Sequence, residues 1–362
     1  MKKLVVLAGM FIALTAAVFA QNDLQALAVV KLNKSETITV RTLKSRAGFV
    51  LKQYEPYGIT ELSPEQRQKI LENLIDEKLI NQAAVKEGLS VTDSEVNASF
   101  LDTFSQQLGQ QVTESQLSDL IKKQTGKSLD EYLKENSGMT MSEYKSYLRS
   151  QLLTQKYVYA KKQSELARVA AADEEIRKAY DLNKATFVWN DMMKLFLVMV
   201  PKGTDETQAR AKATDLKNQY EKDKNVAKKI KEDAENGKVY RAGELLVAKT
   251  SQQAVQLGWN YDKIIELFGN NAGYVSDITE TNTDFQFYAI IKKYDAKMLS
   301  ISDPVQPESN VTVYEYIKNN LTRQKQTQFF ADAAQKLADS LDTPANVERK
   351  KTGDDLIKLL SW

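Results

Sequence analysis

The chain has 362 residues, with 50 Lys and Arg against 48 Asp and Glu, and it contains neither His nor Cys. A net charge this close to zero removes any global electrostatic case for nucleic acid or an anionic membrane as partner. Without His and Cys, disulfide frameworks, structural zinc sites, serine–histidine triads and cysteine–histidine dyads are excluded, because each needs a residue the chain lacks.

Residues 1–20 read as a secretory signal peptide. Lys2 and Lys3 form a positive start, Leu4 to Val18 is apolar, and Val18-Phe19-Ala20 is a small-x-small cleavage site before Gln21. The apolar run is short for a span, which needs about 20 residues. The expected product is soluble and periplasmic, with no stable membrane anchor after signal cleavage.

Ala28 to Val40 alternates and is rich in β-branched residues, which predicts two paired strands turning near Asn33 to Ser35. Thr42 to Tyr54 is predicted helical, and Glu55-Pro56-Tyr57-Gly58 a loop. Ser63 to Gly88 is the most strongly marked stretch. Ser63 is an N-cap, Pro64 sits at the first helical position, Gln66 completes a capping box, and Gly88 gives a left-handed stop. Its apolar residues, Ile70, Leu71, Leu74, Ile75, Leu79, Ile80, Ala83 and Ala84, recur at three- and four-residue steps. Helices are expected next over Asp93 to Leu108, Thr113 to Gln124, Ser128 to Asn136, Thr140 to Leu166 and Ala172 to Asn183.

Composition changes at Lys184 to Phe187. Lys194 to Val200 reads as a buried strand, Glu206 to Lys222 and Asn225 to Glu235 as helices, and Gly237 to Val247 as loop and short strand. A helix over Asp262 to Phe268 and strands over Tyr274 to Ile278 and Phe285 to Tyr294 complete a small α+β domain. Pro304 and Pro307 mark a linker before a long amphipathic helix over Val311 to Leu341. Its apolar stripe must be buried, and the first helical domain is the natural partner. That makes the helical domain discontinuous. Asn346 to Lys350 is expected to add an edge strand to the early pair.

Three stretches carry a family likeness: I-L-E-N-L-I-D-E-K-L-I-N-Q-A-A-V-K-E-G-L-S-V-T-D-S-E-V at Ile70 to Val96, M-T-M-S-E-Y-K-S-Y-L-R-S-Q-L-L at Met139 to Leu153, and A-D-E-E-I-R-K-A-Y at Ala172 to Tyr180. With the leader and the order of elements, the chain resembles the SurA and PrsA type of exported foldase. The resemblance implies a mostly α fold with an inserted α+β domain: a discontinuous helical chaperone domain, similar to those of SurA and trigger factor, plus a parvulin-like domain. The implied divisions are a signal peptide at 1–20, a helical domain at 21–185, a parvulin-like domain at 186–300, and a C-terminal helix and tail at 301–362.

The parvulin pattern is matched only in part. Met193 to Pro201 fits the opening strand with Leu195 in the place of a histidine. Ala242-Gly243-Glu244-Leu245-Leu246 resembles the family's Gly-Gly-Asp-Leu-Gly, and Gly273-Tyr274-Val275-Ser276 its Gly-x-Val-Ser turn. In the closing strand Ala289 stands in the second histidine position. Asp233 is the candidate for the acidic site residue, and Phe285, Phe287 and Trp259 are candidates for substrate binding. Leu and Ala cannot hydrogen-bond, so the paired-histidine network cannot form as the family builds it.

The implied function is an ATP-independent periplasmic chaperone. It would bind unfolded or partly folded envelope and outer-membrane proteins between the helical core and the inserted domain, with a parvulin-like domain that has lost its catalysis. Two alternatives stay open: a peptidyl-prolyl cis-trans isomerase with a His-free site built on Asp233, Phe285, Phe287 and Trp259, and a non-catalytic adaptor for a folded partner. A small α+β domain without parvulin ancestry is a further option for the second domain. No nucleotide motif is present, and no cofactor or metal is expected. The charge runs, such as Lys222 to Glu235, interleave both signs and read as solvated helix faces.

Overall fold

Strands β1 (Ala26–Val30) and β2 (Glu36–Thr39) pair antiparallel, and β9 (Val347–Arg349) joins β1 from the other side, giving the sheet order β2-β1-β9. The computed structural model describes residues 23–362 except residue 238, so the expected signal peptide lies outside the described residues. By its contacts the chain falls into two units. One runs to Ala170 and resumes over Gln324–Trp362; the other is Ala171–Arg323. The architecture is mostly helical with an inserted α+β unit.

In the first unit, helices α1 (Val40–Tyr54), α2 (Pro64–Lys86), α3 (Asp93–Leu108), α4 (Glu114–Thr125), α5 (Leu129–Ser137) and α6 (Met141–Leu166) follow the hairpin. Their starts are set locally. Ser63, Thr92, Thr113, Ser128 and Thr140 each cap a helix and each closes a box with the Gln or Glu three residues on. Gly88 takes φ +84° just past α2, a conformation that costs a side chain with a Cβ about 1 kcal/mol or more.

Helix α2 serves two clusters. Its first half buries Ile70, Leu71, Leu74, Ile75 and Leu79 with Leu27, Val30 and Ile38 of the sheet and Leu43 of α1. Its second half buries Ile80, Ala83 and Ala84 with Val96 of α3, Leu153 and Tyr157 of α6, and Ala338 of the C-terminal helix. Gln82, only 2% exposed, has its amide fully used: it accepts from Asn33 N–H at 2.9 Å and donates to Val30 O and Glu36 Oε1. This fixes the β1–β2 turn on α2 without an orphaned polar group. A third cluster centres on Phe100 with Leu117, Ile121, Leu129 and Leu133.

Asp76 of α2 faces Glu72 on its own helix and Asp339 and Asp342 of the C-terminal segment, and accepts a hydrogen bond from Gln335 at 2.9 Å. Arg349 pairs with Glu72 and Asp342, each at 2.6 Å. Burial first, and then the neighbouring carboxylates, push the Asp76 carboxyl above its usual range. A raised acid loses stabilisation as pH climbs from the unfolded value through the folded one, and the loss persists above that. Asp76→Asn is therefore expected to melt higher than the parent at pH 7 and at the same temperature at pH 3. Thermal melts at the two pH values check this.

The second unit begins with α7 (Asp173–Asn183) and the small pair β3 (Val188–Trp189) and β8 (Lys297–Met298). Its main sheet is antiparallel, in the order β5-β4-β7-β6, from β4 (Met192–Pro201), β5 (Arg241–Ala248), β6 (Thr279–Glu280) and β7 (Asp284–Tyr294). One face packs under α8 (Glu206–Lys222) and α9 (Val226–Glu235), the other under α10 (Ser251–Gln256) and α11 (Tyr261–Gly269). Residues Tyr274 to Ile278, expected as a strand, instead make an isolated bridge through Val275 and Ala289. Ser276 turns the segment through its side chain, accepting Tyr288 N–H on Oγ at 3.0 Å. Gly237 to Val247, read as loop and short strand, yields an eight-residue strand.

The C-terminal helix α12 (Val313–Leu341) and α13 (Gly353–Leu359) complete the chain. The units divide at 170/171 and 323/324, where the sequence suggested 185/186 and 300/301. The cause is a small core in which Ile176 and Tyr180 of α7 pack with Leu299, Val313 and Ile317. That core draws α7 and the start of α12 into the second unit. Among the described residues no helix is long and apolar enough to cross a membrane.

Candidate functional site

An open cleft of about 610 Å³ lies in the first unit, lined by the start of α1, one side of α2 and the first half of α6. Helix α6 contributes Ser142, Ser146 and Ser150 to it at four-residue steps, so one row of small hydroxyl side chains runs along its wall. Leu74, Val85, Met139, Tyr147 and Leu153 supply the apolar part. Val85 is half exposed here.

The cleft is held by Glu77. Its carboxylate receives both arms of the Arg46 guanidinium at 2.8 and 3.2 Å, the Ser150 hydroxyl at 2.6 Å and the Gln151 amide at 3.3 Å. Arg46 and Glu77 are mostly shielded, with side-chain exposures of 17% and 13%, and the bidentate geometry fixes α1 against α2. The Asn81 amide donates to Ser150 Oγ, and Thr154 Oγ1 donates to Asn81 Oδ1. Arg46 also lies over the Tyr147 ring, 4.8 Å from its centroid, and Phe49 packs on the same ring at 5.0 Å. Burial pushes the Tyr147 hydroxyl up, so it remains a neutral donor.

At one end of the cleft, burial works against the Glu36 charge. Its hydrogen bond to Lys78 at 2.6 Å and the charges of Lys78 and Lys34 nonetheless hold its carboxyl below the usual range. Lys34, Arg41, Arg46, Lys78 and Arg149 face Glu36, Glu77 and Glu143, so the lining carries both signs with an excess of positive charge. The cleft offers apolar surface, hydroxyls and amides. Its one hydroxyl–carboxylate contact, Ser150 to Glu77, uses a carboxylate already committed to Arg46, and among the described residues no group of three metal-ligating side chains is placed to hold a metal ion.

In the second unit, the residues singled out from sequence do not converge. Leu195 pairs with Ile290 across β4 and β7 and packs with Met193, Val247, Ile264 and Leu267 under α10 and α11. Ala289 pairs with Phe196 and packs with Phe285, Phe287 and Tyr220 under α8 and α9. Directly paired residues share a face, so Leu195 and Ala289 lie on opposite faces of the sheet. Phe285 and Phe287, 2% and 0% exposed, are core residues of the α8–α9 side. Trp259 packs on the other side, with Lys263 over its ring at 4.5 Å. Asp233 sits on α9 near Tyr240, whose hydroxyl is pushed up by burial and then by the Asp233 charge. The arrangement anticipated from the resemblance, with Asp233, the two phenylalanines and Trp259 around one pocket, is not formed: the sheet puts Trp259 on the face opposite the other three, and Phe285 and Phe287 are buried in the core rather than lining an opening.

The cleft of the first unit escaped the reading by motif. The signal that would have found it is the row Ser142, Ser146, Ser150, Thr154 on an otherwise amphipathic helix, opposite Glu77 and Asn81, also four apart.

Residues 2–158 match the model of the SurA-like N-terminal domain. No curated protein matches the chain. Among solved structures, one from a study of PEB4 and Cj1289, described as SurA-like chaperones of Campylobacter jejuni, aligns at 15% identity and a TM-score of 0.31, covering 90% of this chain and 100% of that one. PrsA from Bacillus subtilis aligns at 17% identity and 0.29, covering 93% and 98%. The foldase PrsA from Streptococcus pneumoniae aligns at 16% and 0.29, covering 89% and 94%.

Proposed function

We propose that this chain, whose residues 2–158 match the SurA-like N-terminal domain, is a foldase of the SurA and PrsA type and acts as an ATP-independent periplasmic chaperone for unfolded envelope proteins, outer-membrane proteins among them. The observation that carries the reading is the open cleft of that domain, whose accessible apolar surface is Val85 and Tyr147, set beside the hydroxyl row of α6 and backed by the buried Leu74, Met139 and Leu153. Apolar and hydrogen-bonding groups side by side suit a polypeptide of no fixed sequence: side chains meet the apolar wall and main-chain amides meet the hydroxyls. The inserted unit is read as a parvulin-like domain without isomerase activity. Leu195 and Ala289 cannot hydrogen-bond and lie on opposite faces, which supports this over a His-free isomerase.

The test is light scattering from a denatured outer-membrane protein diluted into buffer with a near-stoichiometric amount of this protein and no ATP. Scattering is expected to fall. Ser146→Trp, at an exposed position on the cleft wall, is expected to remove most of that effect while leaving the melting temperature within a few degrees, as surface substitutions do. Full suppression by the variant would refute the cleft as the binding site, and no suppression by the parent chain would refute the chaperone reading.

A further inference from the structure

The main sheet of the second unit has two edges, and they are treated differently. On the β7 side, β6 is only two residues long, but the rest of the rim is occupied. Gly273 N–H donates to Ile290 O at 2.8 Å, Ile290 N–H to Tyr274 O at 2.9 Å, Ser276 N–H to Tyr288 O at 2.9 Å, and Tyr288 N–H to Ser276 Oγ. On the other side, β5 pairs with β4 in unbroken register from Arg241↔Met199 to Ala248↔Met192. Among the described residues, no hydrogen bond from any other element reaches a main-chain group of Arg241 to Val247.

An open edge of this length is a template for another strand, and proteins ordinarily blunt such edges with Pro, Lys, bulges or brevity. The first unit does so: β2 has four residues and β9 has three. β5 has eight residues, R-A-G-E-L-L-V-A, with no Pro, no Lys and no bulge. Of its two charges, Glu244 is paired with Lys194 at 2.7 Å, and Lys194 is itself shared with Glu308. The unpaired row of N–H and C=O groups is complementary to an extended backbone whatever its side chains.

We propose that the outer edge of β5 captures extended segments of non-native polypeptide as a fifth strand of this sheet. The proposal rests on the chaperone reading and names a second, main-chain-directed site for the same class of client.

The probe is a fluorescein-labelled, end-capped octapeptide of alternating Thr and Val, with a twin N-methylated at every second amide, each titrated against the full chain by anisotropy. The plain peptide is expected to bind saturably and to slow hydrogen exchange at residues 241–248. The methylated twin is expected to bind at least tenfold more weakly. Leu245→Pro and Leu246→Pro resolve the geometry. Successive N–H groups of a strand alternate between its two sides, so one proline removes a bond to β4 and the other an outward donor. The variant that keeps the parent's circular dichroism and melting temperature must lose peptide binding. If both variants unfold, the methylated twin decides alone.

Equal binding of the two peptides, or undiminished binding by a folded proline variant, overturns the proposal. Concentration-dependent dimers with residues 241–248 protected in the absence of peptide also overturn it, assigning the edge to a second copy of the chain. Suppressed client aggregation without edge binding leaves the chaperone reading standing and this one refuted. Edge binding without any suppression does the reverse.

Discussion

Replacing Leu195 and Ala289 together by histidine is expected to destabilise the second unit and to create no isomerase. Both positions are about 1% exposed. At Leu195 an imidazole would sit among Met193, Val247 and Ile264, which offer no donor and no acceptor stronger than the Met193 thioether. An unsatisfied buried polar group costs about 1–3 kcal/mol. At Ala289 the ring must also displace Phe196, Phe287 or Tyr220, and overpacking of this kind adds about 1–3 kcal/mol. The pair should thus lose on the order of 3–9 kcal/mol, a large share of the roughly 5–15 kcal/mol that holds a typical protein folded. A urea titration followed by circular dichroism measures the loss. The two rings would also be on opposite sides of the sheet and unable to share a substrate. A folded double variant that accelerates prolyl isomerisation in a peptide assay would show that the register described for β4 and β7 is wrong.

The second large effect is expected at Leu79→Ala. Leu79 is fully buried in the middle of α2, in the cluster that joins the helix to the sheet and α1. Truncation keeps the helix, because Ala is the best helix former. What is lost is the transfer energy of the removed methyls plus the cavity left behind, together about 2–5 kcal/mol. The cost should fall toward the upper end if the β1–β2 sheet, tied to α2 through Gln82, resists collapse into the gap. Val85→Ala, half exposed on the same helix, is the control and should change stability by less than about 0.5 kcal/mol. Equal losses at the two sites would contradict the stripe assigned to the core.

The helical part of the fold was legible because its signals are local. Ser63, Thr92, Thr113, Ser128 and Thr140 each announce a helix within four residues, and Gly88, Gly126 and Gly138 each mark a stop at positive φ. The β5 strand was harder: Gly243 and the adjacent Leu245-Leu246 break the alternation, and its pairing with β4 is a long-range property. Tyr274 to Ile278 has strand composition but is turned by the Ser276 hydroxyl, which sequence does not display. The face on which a residue lies was illegible for a sharper reason. The register of β4 and β7 slips between Lys194 and Leu195, and a slip of one residue exchanges the faces. The positions of Leu195 and Ala289 were therefore readable in a motif and unreadable in space. The end of α12 nearest Val313 posed a similar problem, since its apolar stripe runs unbroken while its partners change from Leu299 and Tyr180 to Ala84 and Val96.

The small sheet of the first unit has a consequence for synthesis. Val30 is paired with Val347, and the Leu27 carbonyl is met by Lys350 N–H at 2.8 Å. A chain emerging N-terminus first makes β1 and β2 long before β9. During most of its own production, one side of β1 has no partner and the core around Leu27 and Ile75 lacks Val347, Leu356 and Leu360. Contacts of such long sequence separation close late, because the loop entropy must be met before they form. Until residues 347–349 appear, the nascent chain therefore carries a strand with one open side, a condition of the kind it is proposed to relieve in others.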